Sequence, residues 1–170
     1  MNKSQLETFL LTWIRTQTGF AQGKVISADQ EKAFPELPYI RMQFKDYEKV
    51  GLMDEKEQKK DGKIKLWKIR RINIDINGFG PGTKQAIENL YDSLEKPSVY
   101  KSFRSNDITI NPDKVKNLSG KENDKVIERA LLELELKFSN YIVDDLGSFN
   151  KILVTPIIND ITYPEQTIQI

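Results

Sequence analysis

Gly78, Gly80 and Gly82 stand between an alternating apolar stretch and a run of helix formers, the place in a chain where phosphate loops form. The chemistry there would be anion binding by backbone N–H groups, with Lys84 the nearby cation. The spacing does not fit that chemistry. No Gly-x-x-x-x-Gly-Lys-Ser/Thr is present, and alternate glycines around Pro81 depart from the dinucleotide fingerprint. The same residues make a tight exit from a sheet, because Gly accepts positive φ while Pro fixes φ and removes a donor. Asp75 and the Asp144-Asp145 pair carry the hard oxygens that magnesium takes, but lone carboxylates are commonly just solvated. The chain has no histidine and no cysteine. That removes imidazole and thiolate chemistry and all disulfides. A hydrolase or transferase would have to run on carboxylates or lysine, and no paired-carboxylate arrangement is evident. The residues therefore predict no enzyme, with no catalytic, cofactor or metal site.

Charge is more distinctive than chemistry. From Lys56 to Arg71 eight basic residues, Lys59, Lys60, Lys63, Arg70 and Arg71 among them, face only two acids, Glu57 and Asp61. Such a run touches nucleic-acid phosphates or an acidic protein surface, or is simply solvated. An acidic counterpart follows late in the chain at Glu133, Glu135, Asp144 and Asp145. Opposite patches on one chain suit head-to-tail ring assembly, which needs a heterologous interface. The whole chain is balanced, with 26 Lys and Arg against 25 Asp and Glu, so bulk charge draws it to neither nucleic acid nor membrane.

The elements that position these groups follow from periodicity. At 170 residues the chain can bury a real core. Ser4 and Glu7 have capping-box spacing, and Leu6, Phe9, Leu10, Trp13 and Ile14 form an apolar stripe, predicting a helix over about 3–17 with Trp13 in the core. Gly19 and Gly23 end it before a short strand at 24–26. Tyr39 to Lys45 alternates as a strand, and the fully polar 54–63 predicts a solvated loop or hairpin tip turning at Asp61-Gly62. From Lys63 a long strand places Ile64, Leu66, Ile72, Ile74 and Ile76 on one face and Trp67 and Ile69 on the other. Helices covering both sides, a bulge near Lys68, or a subunit contact on the outer face each account for that second apolar face. A second helix is predicted over about 83–95, stopped by Pro97, with Val99 and Phe103 in an irregular turn before a strand at 107–111 and a polar loop at 112–124. In 127–141 helix-forming residues alternate as Ala130, Leu132, Leu134, Leu136 and Phe138. Burial of one continuous face outweighs propensity differences of a few tenths of a kcal/mol per residue, so this reads as a strand. Residues 151–170 show short strand patterns and no helix period. The fold class predicted is α+β: a mostly antiparallel sheet with two main helices packed on it over 1–150, and an extended C-terminal arm at 151–170. No signal-peptide core or run of about 20 apolar residues is present, which predicts a cytosolic protein without membrane contact.

This order of elements resembles the phage neck terminator proteins, the tail-terminator-like family of tailed bacteriophages. The likeness lies in the N-terminal amphipathic helix, the Leu37-Pro38-Tyr39-Ile40-Arg41-Met42 strand, the Ile74-to-Gly80 strand exit with its following helix, and the alternating strand 129–138. It covers about residues 5–155 and is carried by structural motifs. The resemblance implies a virion protein of the tail and neck, assembled in the host cytoplasm as a homo-oligomeric ring, a hexamer, that caps the tail tube. Its implied partners are tail tube protein, sheath protein and head–tail connector proteins, with genomic DNA passing through the lumen without sequence-specific contact. The residues expected at interfaces are Lys59, Lys60, Lys63, Trp67, Ile69, Arg70, Arg71, Glu133 and Glu135, with the arm augmenting a sheet edge. The alternative is a nucleic-acid-binding module using 56–71, with Trp67 stacking on bases.

Overall fold

Alternation of apolar and polar residues builds most of this fold. In the computed structural model the backbone is described for residues 2–29, 33–58, 63–122 and 125–145 and for short strands at 152–154, 157–158, 161–162 and 166–168; side chains are described for 2–29, 33–46, 48–50, 68–120 and 127–139. The chain divides into two compact units, Met1–Leu52 with Lys68–Asn140, and Met53–Trp67 with Tyr141–Ile170.

Helix α1 (Lys3–Thr18) covers the predicted 3–17, but the Ser4–Glu7 pair does not cap it. Asn2 is the cap: its Oδ1 accepts from the Gln5 N–H at 2.8 Å, and the Gln5 Oε1 accepts from the Asn2 N–H at 2.9 Å. Two orphan amides are thereby satisfied reciprocally, and Ser4 is left inside the first turn. Gly19, at φ 71°, ends the helix by donating to the Arg15 carbonyl at 2.9 Å, a left-handed cap that Gly adopts without strain.

Strand β1 (Val25–Ser27) runs parallel to β2 (Tyr39–Gln58), Val25 facing Ile40. The predicted polar loop is therefore strand as far as Gln58; the Asp61-Gly62 turn lies outside the described residues. Strand β3 (Lys63–Phe79) leads through the glycine turn to α2 (Thr83–Asp92), which tightens into a 3-10 turn at Ser93–Glu95.

The predicted irregular turn at Val99 and Phe103 is a helix, α3 (Pro97–Ser105). Pro97 does stop α2, but it also opens α3 at its first turn, where a missing N–H costs nothing and φ is already helical. Three α-helices are thus present among the described residues where two were expected. Strand β4 (Ile108–Asn117) then pairs antiparallel with β7 (Arg129–Asp145), Ile108 facing Phe138 and Ile110 facing Leu136. The polar 112–124 loop is consequently mostly strand: β4 continues past an irregularity at Pro112–Val115, and β5 (Gly120–Glu122) pairs antiparallel with β6 (Lys125–Ile127). Pro112 sits on β4, the edge strand of the sheet, beside the register shift, where a missing ladder donor is tolerated.

The main sheet has the order β1-β2-β3-β7-β4, mostly antiparallel, and the fold is α+β. One core joins Leu6, Leu10 and Ile14 of α1 and Ile87 and Leu90 of α2 to Ile40, Met42 and Phe44 of β2, Ile72, Ile74 and Ile76 of β3 and the alternate residues from Ala130 to Phe138 of β7. In the second unit β8 (Ile152–Val154) pairs antiparallel with β11 (Gln166–Ile168), and β9 (Ile157–Ile158) with β10 (Ile161–Thr162). Among the described residues no helix is long and apolar enough to cross a membrane.

Candidate interaction surface

The parity that sends Ile72, Ile74 and Ile76 inward turns Arg71, Asn73 and Asp75 of β3 outward, beside Lys45 of β2 and Glu133, Glu135 and Lys137 of β7. Opposite charges interleave there. The Lys45 ammonium lies 2.7 Å from Asp75 and 3.9 Å from Glu133; Arg71 lies 3.4 Å from Glu135 and 3.9 Å from Glu48; Lys137 lies 3.3 Å from Glu135. Lys116 of β4 closes the row by pairing with Glu133 and, at 3.7 Å, with Asp113. A polar groove of about 420 Å³ runs along this row, between Lys45, Asp75, Asn111 and Glu133. Exposed ion pairs contribute about 0–1 kcal/mol each and weaken with salt, so the network sets the charge pattern of the face more than its stability.

Asp75 is the exception, since only 8% of it is exposed. Its hydrogen bond to Lys45 is the main reason the Lys45 ammonium titrates above its usual 10.5, with burial opposing and the charges of Asp75 and Glu133 assisting. Lys116 is likewise raised, first by its hydrogen bond to Glu133. Both lysines have folded values above the unfolded one, so their contribution is complete below pH 10.5 and is lost as pH rises through the folded values. Lys45→Met strands a mostly buried carboxylate. Because 43% of the Lys45 side chain is exposed, the expected cost is about 1–2 kcal/mol at neutral pH. Urea unfolding checks it, and the difference from the parent should shrink as pH rises through the folded Lys45 value, which lies above 10.5.

Of the residues predicted at interfaces, the structure brings Arg71, Glu133 and Glu135 together on this face and leaves Ile69 43% exposed. The expected division into a basic and an acidic patch does not hold for Arg71 and Glu135, which neutralise each other within one chain. Arg70 has the opposite parity and is half-buried. Lys59 and Lys60 lie outside the described residues, as do the side chains of Lys63 and Trp67.

The glycine turn is structural, and its anion site is already filled. Gly80 and Gly82 take φ of 94° and 79°. The free amides of Gly82 and Lys84 at the start of α2 donate to the Glu128 carboxylate at 3.3 and 2.6 Å, where a phosphate would otherwise sit.

Beside this turn lies a cluster that sequence reasoning missed. Tyr39 stacks on Phe79 with centroids 4.9 Å apart and on Phe34 at 6.1 Å. The Arg41 guanidinium lies 5.3 Å from the Phe79 ring and 5.6 Å from Phe34, and Arg129 lies 4.9 Å from Phe79. Arg129 also donates to the Asn77 Oδ1 at 3.4 Å. The Nε atoms of both arginines are buried without a hydrogen bond. The available signal was Arg41 at an outward position among aromatics at 34, 39 and 79, but their proximity is tertiary.

Among the described residues the fold is α+β, three α-helices on a mostly antiparallel sheet, and its distinctive side chains are interleaved charges and arginine–aromatic stacks. The model of the phage neck terminator protein family matches residues 4–161, and the chain belongs to that family. It is accordingly a structural protein of the phage neck. A comparison with curated proteins finds no match.

Proposed function

We propose that this protein assembles as a homo-oligomeric ring at the head-proximal end of the tail, capping the tail tube and joining it to the head–tail connector. The observation that carries the reading is membership of the neck terminator family over residues 4–161. Residues 1–150 act as the terminator domain and 151–170 as an arm that adds strands to a sheet edge. Tube protein, sheath protein and connector proteins are its partners, assembly takes place in the host cytoplasm, and genomic DNA passes through the lumen unread. Interleaved charges of the kind seen along β2, β3, β7 and β4 confer orientation and partner choice rather than raw affinity, as a docking ring requires. The interface set runs from Lys59, Lys60 and Lys63 through Trp67, Ile69, Arg70 and Arg71 to Glu133 and Glu135.

Native mass spectrometry and negative-stain electron microscopy test the proposal. A closed ring of one subunit number is expected, alone or with tube or neck proteins added. A strict monomer under all those conditions overturns it. The nucleic-acid reading predicts labelled-DNA affinity that falls steeply with salt; weak, salt-independent binding is the expected result, because Arg71 is already engaged by Glu135 and Glu48.

A further inference from the structure

Two patches in the unit containing residues 1–52 and 68–140 hold apolar and charged groups that the described chain does not cover. The first precedes β2. Phe34 and Leu37 are 58% and 52% exposed, a large loss of apolar burial for neighbouring side chains. The Phe34 ring is nevertheless held in place: it lies nearly parallel to Tyr39, at an interplanar angle of 7°, with the Arg41 guanidinium against it. A ring fixed before binding loses little rotamer freedom on docking. Arg41 has no carboxylate partner among the described residues, and its buried Nε is unsatisfied. Aromatic and arginine side chains together are the composition of interface anchors.

The second patch is a groove of about 240 Å³ between α3 and β4, walled by Leu94, Val99, Phe103, Ile108 and Ile110. Tyr100, 59% exposed, and Glu95 stand at its rim. Glu95 has no ion pair among the described residues, whereas the rim cation Arg104 rests 5.9 Å from the Tyr100 ring. The groove is smaller than the roughly 300–1,000 Å³ of a typical ligand pocket. It suits a single inserted side chain.

The positions of the two patches are complementary as well as their chemistry. The knob adjoins the β1–β2 end of the strand order and the groove the β4 end. A heterologous contact joins two different patches of identical subunits, and a knob and a groove at separate places on the surface fit it, whereas an isologous contact would use one patch twice. We propose that the Phe34–Leu37 knob of one copy seats in the α3–β4 groove of the next, with Arg41 facing Glu95. This rests on the ring reading above and names the contact that propagates it.

The cysteine-free chain with benzoylphenylalanine in place of Phe34 keeps an aromatic at the knob and makes it photoreactive. Equal amounts of isotopically normal and nitrogen-labelled copies are mixed, irradiated and digested. The expected products join position 34 of one isotope to residues 94–112 of the other. In parallel, Phe34→Ala, Arg41→Glu and Glu95→Arg should each weaken subunit association about tenfold or more, and the Arg41→Glu/Glu95→Arg pair should recover to within about threefold of the parent. These sites are exposed or half-buried, and matched thermal unfolding curves separate lost docking from lost folding. Assembly with cross-links that fall elsewhere or stay within one isotope, or a double variant no better than either single, overturns the contact and leaves the ring standing. Binding of an oligonucleotide at the knob that survives Glu95→Arg while subunit association is unchanged also overturns it. A strict monomer overturns both the ring and the contact.

Discussion

Phe103→Ala is expected to lower the stability of this protein by about 3–5 kcal/mol and its Tm by about 10 °C. Phe103 is 3% exposed and sits where three elements meet. Its ring is edge-on to Phe9 at 4.9 Å and to Trp13 at 5.2 Å, both on α1, while its backbone belongs to α3 and its side chain walls the groove against β4. Trp13 is in turn fixed by donating its indole N–H to the Ser93 Oγ at 3.3 Å, and that hydroxyl donates to the Leu90 carbonyl at 2.6 Å. With Trp13 anchored to the end of α2, α1 cannot easily slide inward to fill the space an alanine leaves. The cavity term therefore persists, and two edge-to-face contacts of about 0.5–1.5 kcal/mol each are lost within the total. Phe103→Leu keeps most of the volume and should cost less than about 1.5 kcal/mol. Chemical unfolding of both variants checks the pair. An alanine variant within 1 kcal/mol of the parent would mean that α3 packs loosely, and the groove could not then act as a preformed socket.

Where a burial pattern alone determines structure, the chain was readable. Ile72, Ile74 and Ile76, and the run from Ala130 to Phe138, alternate so strictly that both strands and their inward faces followed, against the helix propensity of the second segment. The stripe on α1 placed Leu6, Leu10, Trp13 and Ile14 in the core for the same reason. Rules that allow two outcomes failed. Pro97 is both a stop and a start, and only the buried pair Val99 and Phe103, one turn apart, marked the helix after it. The capping box expected of Ser4 and Glu7 is formed by Asn2 and Gln5 instead. The charged face illustrates a deeper limit. Arg71 and Glu135 are 64 residues apart in sequence, and whether they form two patches or one ion pair depends on strand register, which periodicity does not encode. The same is true of Arg41, Phe34 and Phe79, brought together only when the 33–38 segment folds back beside the end of β3.

Of Gly78 and Gly82 at the end of β3, Gly78 is expected to be the less replaceable, although its φ is ordinary and Gly82 carries the left-handed backbone. Gly82→Ala places a Cβ in open space at φ 79°, so only the left-handed conformation is penalised, at about 1–2 kcal/mol. Gly78→Ala brings a Cβ to 2.7 Å from the Thr83 Cβ and 3.2 Å from the Ile87 Cγ1. Neither can yield readily. Thr83 and Ile87 are both fully buried, and the Thr83 hydroxyl is tied to the Gly80 carbonyl at 2.7 Å, so a shift of Thr83 pulls on the turn itself. The first turn of α2 would have to move away from the sheet. That shift would lengthen the 2.6 Å hydrogen bond from the Lys84 amide to Glu128 and open the core around Ile87. Overpacking of this kind costs about 1–3 kcal/mol and more where the neighbours are rigid, which sets the expectation for Gly78→Ala at about 3 kcal/mol. The decisive measurement is the order of the two variants in urea unfolding. Gly78→Ala should unfold first; if Gly82→Ala is the weaker protein, backbone strain and not helix–sheet proximity governs this turn.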